Sequence, residues 1–111
     1  MNEDIYAARQ VAEIASAMLD GSTRPLLGAR MLIGYLHRLK KEVDPEIFRL
    51  IQGVDSECDG LPIGSERRYW APEASAQKDR RADKYEMATR TELLEAANRL
   101  LAQYHDKISL R

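Results

Sequence analysis

The 111-residue chain has one cysteine, Cys58, so no internal disulfide framework and no Cys-rich zinc site can be built from it. It has two histidines, His37 and His105, and neither stands at metal-ligand spacing from the other or from Cys58. It has no excess of one charge. Seventeen basic residues against eighteen acidic give a net charge of −1. That excludes a strong overall field toward nucleic acid or an anionic membrane and leaves only local patches. No run approaches the roughly 18 apolar residues of a membrane span. The stretch Met1-Asn2-Glu3-Asp4 is acidic and leads into no long apolar run, so no secretory signal is expected and the default is a bacterial cytoplasmic protein. There is no Walker loop, dinucleotide fingerprint or nucleophile elbow. Cys58 stands between Glu57 and Asp59, acids that raise a thiol pKa, and Ser56 and Ser65 have no evident base partner. The sequence therefore predicts no catalytic residues, no cofactor and no enzyme. It has no alternating β-branched stretch, no repeat and no low-complexity tract.

What is there is helical patterning. From Asn2 to Asp20, Ile5, Val11, Ile14, Met18 and Leu19 recur at gaps of three and four, with Ala8, Ala12 and Ala15 between them. Asn2 is the expected N-cap and Gly21 the expected stop. A second helix is expected from Pro25 to about Lys41, capped by Ser22 or Thr23, with Leu32, Leu36 and Leu39 as its stripe and Met31 and Tyr35 widening it. Gly28 and Gly34 weaken that helix by about 1 kcal/mol each, which suggests close approach of a neighbouring helix. Asp44-Pro45-Glu46 is a compact start signal for a short third helix that Gly53 would end. Val54 to Trp70, with Gly60, Pro62 and Gly64, reads as one long loop, and such loops are often functional. Ala71-Pro72-Glu73 opens further helix. There Tyr85, Leu93, Leu100 and Tyr104 share a face, with Ala82, Ala96 and Ala97 between and Met87 and Leu94 flanking. Asp79 could cap a second piece, so the pattern allows either one helix or two from Pro72 to Asp106. The predicted fold is all-α: residues 1–111 form one domain, an antiparallel bundle of four to five helices with one long acidic loop.

The charges are sorted along the chain. Arg24 to Lys41 holds Arg24, Arg30, Arg38, Lys40 and Lys41 and no acid, while Gly53 to Glu66 holds Asp55, Glu57, Asp59 and Glu66 and no base. Two solvated faces touching across the fold would explain this, and so would recognition of a charged partner. Nucleic acid on the basic helix is disfavoured, because Tyr35 and His37 are its only interleaved aromatics and no zinc-finger, RRM or KH signature is present. The acidic stretch also spaces Asp55, Glu57, Asp59, Gly60 and Glu66 like an EF-hand loop, which would gather oxygens around a calcium ion. The third position is a glutamate, the eighth is Pro62 and the ninth is Ile63, which has no side-chain oxygen, so no metal ligand is assigned.

Arg67-Arg68-Tyr69-Trp70 follows the acids with the residue types most enriched at binding hot spots, although a single tryptophan also suits the plug of a helical core. The run Val54-Asp55-Ser56-Glu57-Cys58-Asp59-Gly60-Leu61-Pro62-Ile63-Gly64, with Arg67-x-x-Trp70-x-Pro72-Glu73-Ala74, resembles a pattern in small bacterial proteins of unknown function. The resemblance implies a shaped loop rather than a linker. It requires no acid where Glu66 stands, which counts against calcium. By type, a small, charged, motif-poor chain is also similar to the immunity proteins of toxin–immunity pairs. That likeness implies a cytosolic inhibitor of a cognate toxin, a nuclease among the candidates, with Asp55, Glu57, Asp59, Glu66, Arg67, Tyr69 and Trp70 as the partner-binding residues. The alternatives are a calcium-responsive or a nucleic-acid-binding regulatory module. No membrane partner is expected, and oligomeric state is open.

Overall fold

A computed structural model describes residues 4–58 and 72–108, with the backbone alone for residues 72–75. These residues form four α-helices, α1 (Ile5–Asp20), α2 (Pro25–Arg38), α3 (Pro45–Glu57) and α4 (Pro72–Tyr104), and a closing 3-10 turn, His105–Lys107. Among the described residues there is no strand, and no helix is long and apolar enough to cross a membrane.

The starts follow local chemistry. Asp4, not Asn2, caps α1: its Oδ1 accepts the Ala7 N–H at 3.0 Å. Asn2 lies outside the described residues. Gly21 ends α1 at φ 87°, a left-handed conformation open to glycine at little cost. Neither Ser22 nor Thr23 caps α2. The N-cap is Arg24, without a side-chain bond, and Ser22 instead donates through its N–H and its hydroxyl to Asp20. Asp44 caps α3 as the sequence predicts, accepting the Glu46 N–H at 2.8 Å, with Pro45 in the first position. Gly53, in contrast to expectation, does not stop α3. Its backbone stays in the ordinary helical region, and Ile47, Ile51, Val54 and Cys58 carry one buried stripe past it. α4 is one continuous helix, with Asp79 inside it.

At about 1.5 Å per residue the 33 residues of α4 span roughly 50 Å, close to the 51 Å long axis of the described structure. α1 packs along α4 and α2, and α2 packs on α3. Asp4 at the start of α1 holds Arg38 at the end of α2, at 2.7 and 3.0 Å, so those two helices run in opposite directions. The core joins Val11, Ile14 and Met18 of α1, Leu26, Leu32 and Leu36 of α2, Ile47, Phe48 and Ile51 of α3, and Leu93, Leu100 and Tyr104 of α4. Alanines 7, 8, 12 and 15 let α1 lie close to its neighbours. Two residues expected in the α1 stripe, Ile5 and Leu19, and two flanking residues turn outward instead. Ile5, Leu19 and Met31 are exposed, and Met87 is 81% exposed, because each lies at the edge of its stripe or beyond it. Gly28 is the close approach that its helix-weakening residue type suggests, since a Cβ there would overlap Cγ and Sδ of Met18. Gly34 faces open space.

Candidate functional site

Two of the seven predicted partner-binding residues, Asp55 and Glu57, fall among the described residues. Asp59, Glu66, Arg67, Tyr69 and Trp70 lie outside them, as does most of the predicted loop. Asp55 and Glu57 are not on a loop but in the last turn of α3. Two residues on a helix are about 200° apart around its axis, so the two carboxylates splay to opposite sides of the helix end. The first and third positions of a calcium loop must converge on one ion, and this placement removes that geometry. Among the described residues no group of three His, Cys, Asp or Glu is placed to hold a metal.

The end of α3 is electrostatically unusual. A helix C-terminus carries partial negative charge on its last carbonyls and favours cations. This one has two acids and no basic residue in its last turn. Compensation comes from α2. Arg30 lies across the helix end, its Nε 3.9 Å from Asp55 Oδ1 and its Nη2 donating to the Cys58 carbonyl at 3.4 Å. Asp55 is thereby partly engaged, whereas Glu57 is exposed. Cys58, fully buried behind them, has its thiol pushed up to about 11 by burial, with Arg30 opposing that shift and Asp55 adding to it. Burial is the leading cause, and the acids that add to it are Asp55 and Glu86. A thiol held neutral and out of solvent is no nucleophile at neutral pH. Tyr85 of α4 is also raised, first by burial and then by the nearby Cys58 and Glu57.

The basic segment is largely spent on internal pairs. Arg24 donates to Glu86 at 3.0 Å and to Asp83 at 2.8 Å, and Glu86 also accepts the Leu26 N–H, so one carboxylate ties α4 to the start of α2. Arg38 is held by Asp4 and lies 5.7 Å from the Tyr6 ring. Sequence reasoning missed these partners because they come from 34 to 62 residues away. Lys40 and Lys41 lie beyond the end of α2, not within it. His37 sets its ring edge-on to Phe48 at 5.0 Å, and His105 stands in the closing turn.

Compared with protein-family models, curated proteins and solved structures, the chain matches none.

Proposed function

We propose that this protein is an immunity-type inhibitor, which binds a cognate bacterial toxin in the cytoplasm through the acidic end of α3 and the segment after it. The scaffold in this reading is an antiparallel helical bundle, and the acidic segment is its working surface. The observation that carries it is the pair of carboxylates at a helix end that disfavours them. Native sequences break such local rules mainly where function asks for it. Asp55 and Glu57, with Asp59 and Glu66 after them in the chain, would meet basic groups of the toxin. Arg67, Tyr69 and Trp70 would anchor or brace the contact. Nuclease toxins carry basic substrate sites, and carboxylates spaced along such a segment are steered toward them. The proposed role is binding, and the one described thiol, buried and neutral, serves packing in this reading.

The test uses the gene's neighbourhood. The carboxy-terminal region of the adjacent upstream reading frame is expressed in bacteria with and without this protein. Growth arrest relieved by co-expression, with co-purification of the two chains, is the expected result. Arrest without relief, or no arrest, counts against the proposal.

A further inference from the structure

We propose that the groove between the turn that follows α2 and one flank of α3 binds a short acidic peptide segment of a partner protein. It is a second surface, and it does not depend on the acidic end of α3. Pro45, Phe48, Arg49 and Gln52 follow one another at helical spacing along that flank, and Lys40 closes the groove from the other side. The concavity measures about 310 Å³, the scale at which ligand sites begin. Its lining has two cations, one amide and an apolar floor, and no acid.

The cations are available. Arg24, Arg38 and Arg99 are each held by a carboxylate within 3.0 Å, but neither Lys40 nor Arg49 has an ion-pair partner among the described residues. Asp44 is the nearby acid, and Arg49 helps to lower its pKa. Its two oxygens are already used, however, one by the Glu46 N–H at 2.8 Å and the other by Arg99 at 2.6 Å. Helix electrostatics explain Lys40, which follows the C-terminus of α2. They do not explain Arg49, which sits past the first turn of α3, beyond the reach of the dipole at either end.

The floor decides the class of ligand. Phe48 is only 6% exposed, with Lys40 Nζ 5.3 Å above its ring and His37 against it, so it offers no free platform for a nucleobase. What fits is a compact ligand with one or two carboxylates for Lys40 and Arg49 and a methylene stem or small apolar side chain over the exposed Pro45. An Asp- or Glu-rich peptide has that composition.

The probe is a fluorescein-labelled peptide, Glu-Glu-Leu-Glu-Glu, titrated with the full chain and read by fluorescence anisotropy. Binding is expected to weaken about tenfold in the Lys40→Glu/Arg49→Glu variant. It should weaken also with added salt as exposed charges are screened. Both side chains lie at the surface, so the fold should hold. A Lys40→Gln/Arg49→Gln variant with an unchanged circular dichroism spectrum gives the same answer without charge reversal. A matched variant on α4, Arg80→Glu/Lys84→Glu, should bind the peptide as the parent does. Equal loss in the α4 variant would mean nonspecific charge attraction and would overturn the proposal. So would tighter binding of a labelled oligonucleotide of equal charge, or no peptide binding at all.

Discussion

Gly28 and Gly34 lie in the same helix, and alanine at each is expected to change stability in opposite directions. Alanine in place of helical glycine removes backbone freedom from the unfolded chain and stabilises by about 0.5–1 kcal/mol when the new methyl meets nothing. Gly34 has no heavy atom within 4 Å of where its Cβ would lie, so Gly34→Ala should gain that amount. At Gly28 the same methyl overlaps Cγ and Sδ of Met18, which is 2% exposed and packed in the core. Overpacking of this kind costs about 1–3 kcal/mol. Set against the same propensity gain, it leaves Gly28→Ala destabilised by about 1 kcal/mol. The variants then differ by roughly 2 kcal/mol, on the order of 8 °C in Tm for a chain of this size. Urea unfolding followed by far-UV circular dichroism measures both. A Gly28→Ala protein stabilised as much as Gly34→Ala would refute the close approach of α1 to α2 at this point.

Other outcomes follow from named contacts. Arg24→Ala should destabilise by about 1–2 kcal/mol, because Glu86, only 17% exposed, keeps the Leu26 N–H but loses its cation. A double-mutant cycle with Glu86→Gln should return a coupling energy, and strict additivity would contradict the pairing. Asp44 has its carboxyl held below the usual range, first by the Glu46 N–H and then by Arg99. Its stabilisation is present above its unfolded pKa and is lost as pH falls through the lower folded value. Acid titration of Asp44→Asn, which keeps a capping oxygen without a charge, should lack that part of the decline. Cys58 is raised, so the sign reverses: stability is constant below its unfolded pKa and falls between pH 9 and about 11 as the unfolded thiol ionises first. Native Cys58 should resist alkylation at neutral pH until the chain unfolds, and prompt labelling would show an exposed thiol.

The starts of the helices were more legible than their ends. Asp44-Pro45-Glu46 announces α3 because capping and a fixed proline φ act within three residues. Gly21 and Gly53 look alike in sequence, each closing an apolar run, yet only Gly21 turns left-handed. The signal at Gly53 was there in part: Ile47, Ile51, Val54 and Cys58 continue one stripe through it, and burial of Val54 and Cys58 outweighs the weak propensity of a single glycine. Missing that extension put Asp55 and Glu57 on a loop and gave the calcium spacing more credit than a helix end allows. The continuity of α4 past Asp79 meets no breaker, since no glycine or proline stands between Glu73 and Tyr104, and burial of Ala82, Leu93, Ala96, Leu100 and Tyr104 holds its later turns. The partners of Arg24, Arg30 and Arg38 were not legible at all, since nothing local marks an ion pair made between helices distant in sequence. The groove of Lys40, Phe48 and Arg49 was hidden for another reason: the turn between α2 and α3 folds Lys40 back over Phe48, which helical periodicity does not reveal.

The most direct test of the immunity proposal is growth rescue by charge-reversed protein. Asp55→Lys/Glu57→Lys is compared with Glu92→Lys/Glu95→Lys, which reverses two exposed acids of α4 that face the first half of α3. Each is co-expressed with the toxic region encoded upstream, after circular dichroism has shown the helices intact. The account predicts that the α3 variant loses protection while the α4 variant protects like the parent. Full protection by the α3 variant, or equal loss in both, would contradict it.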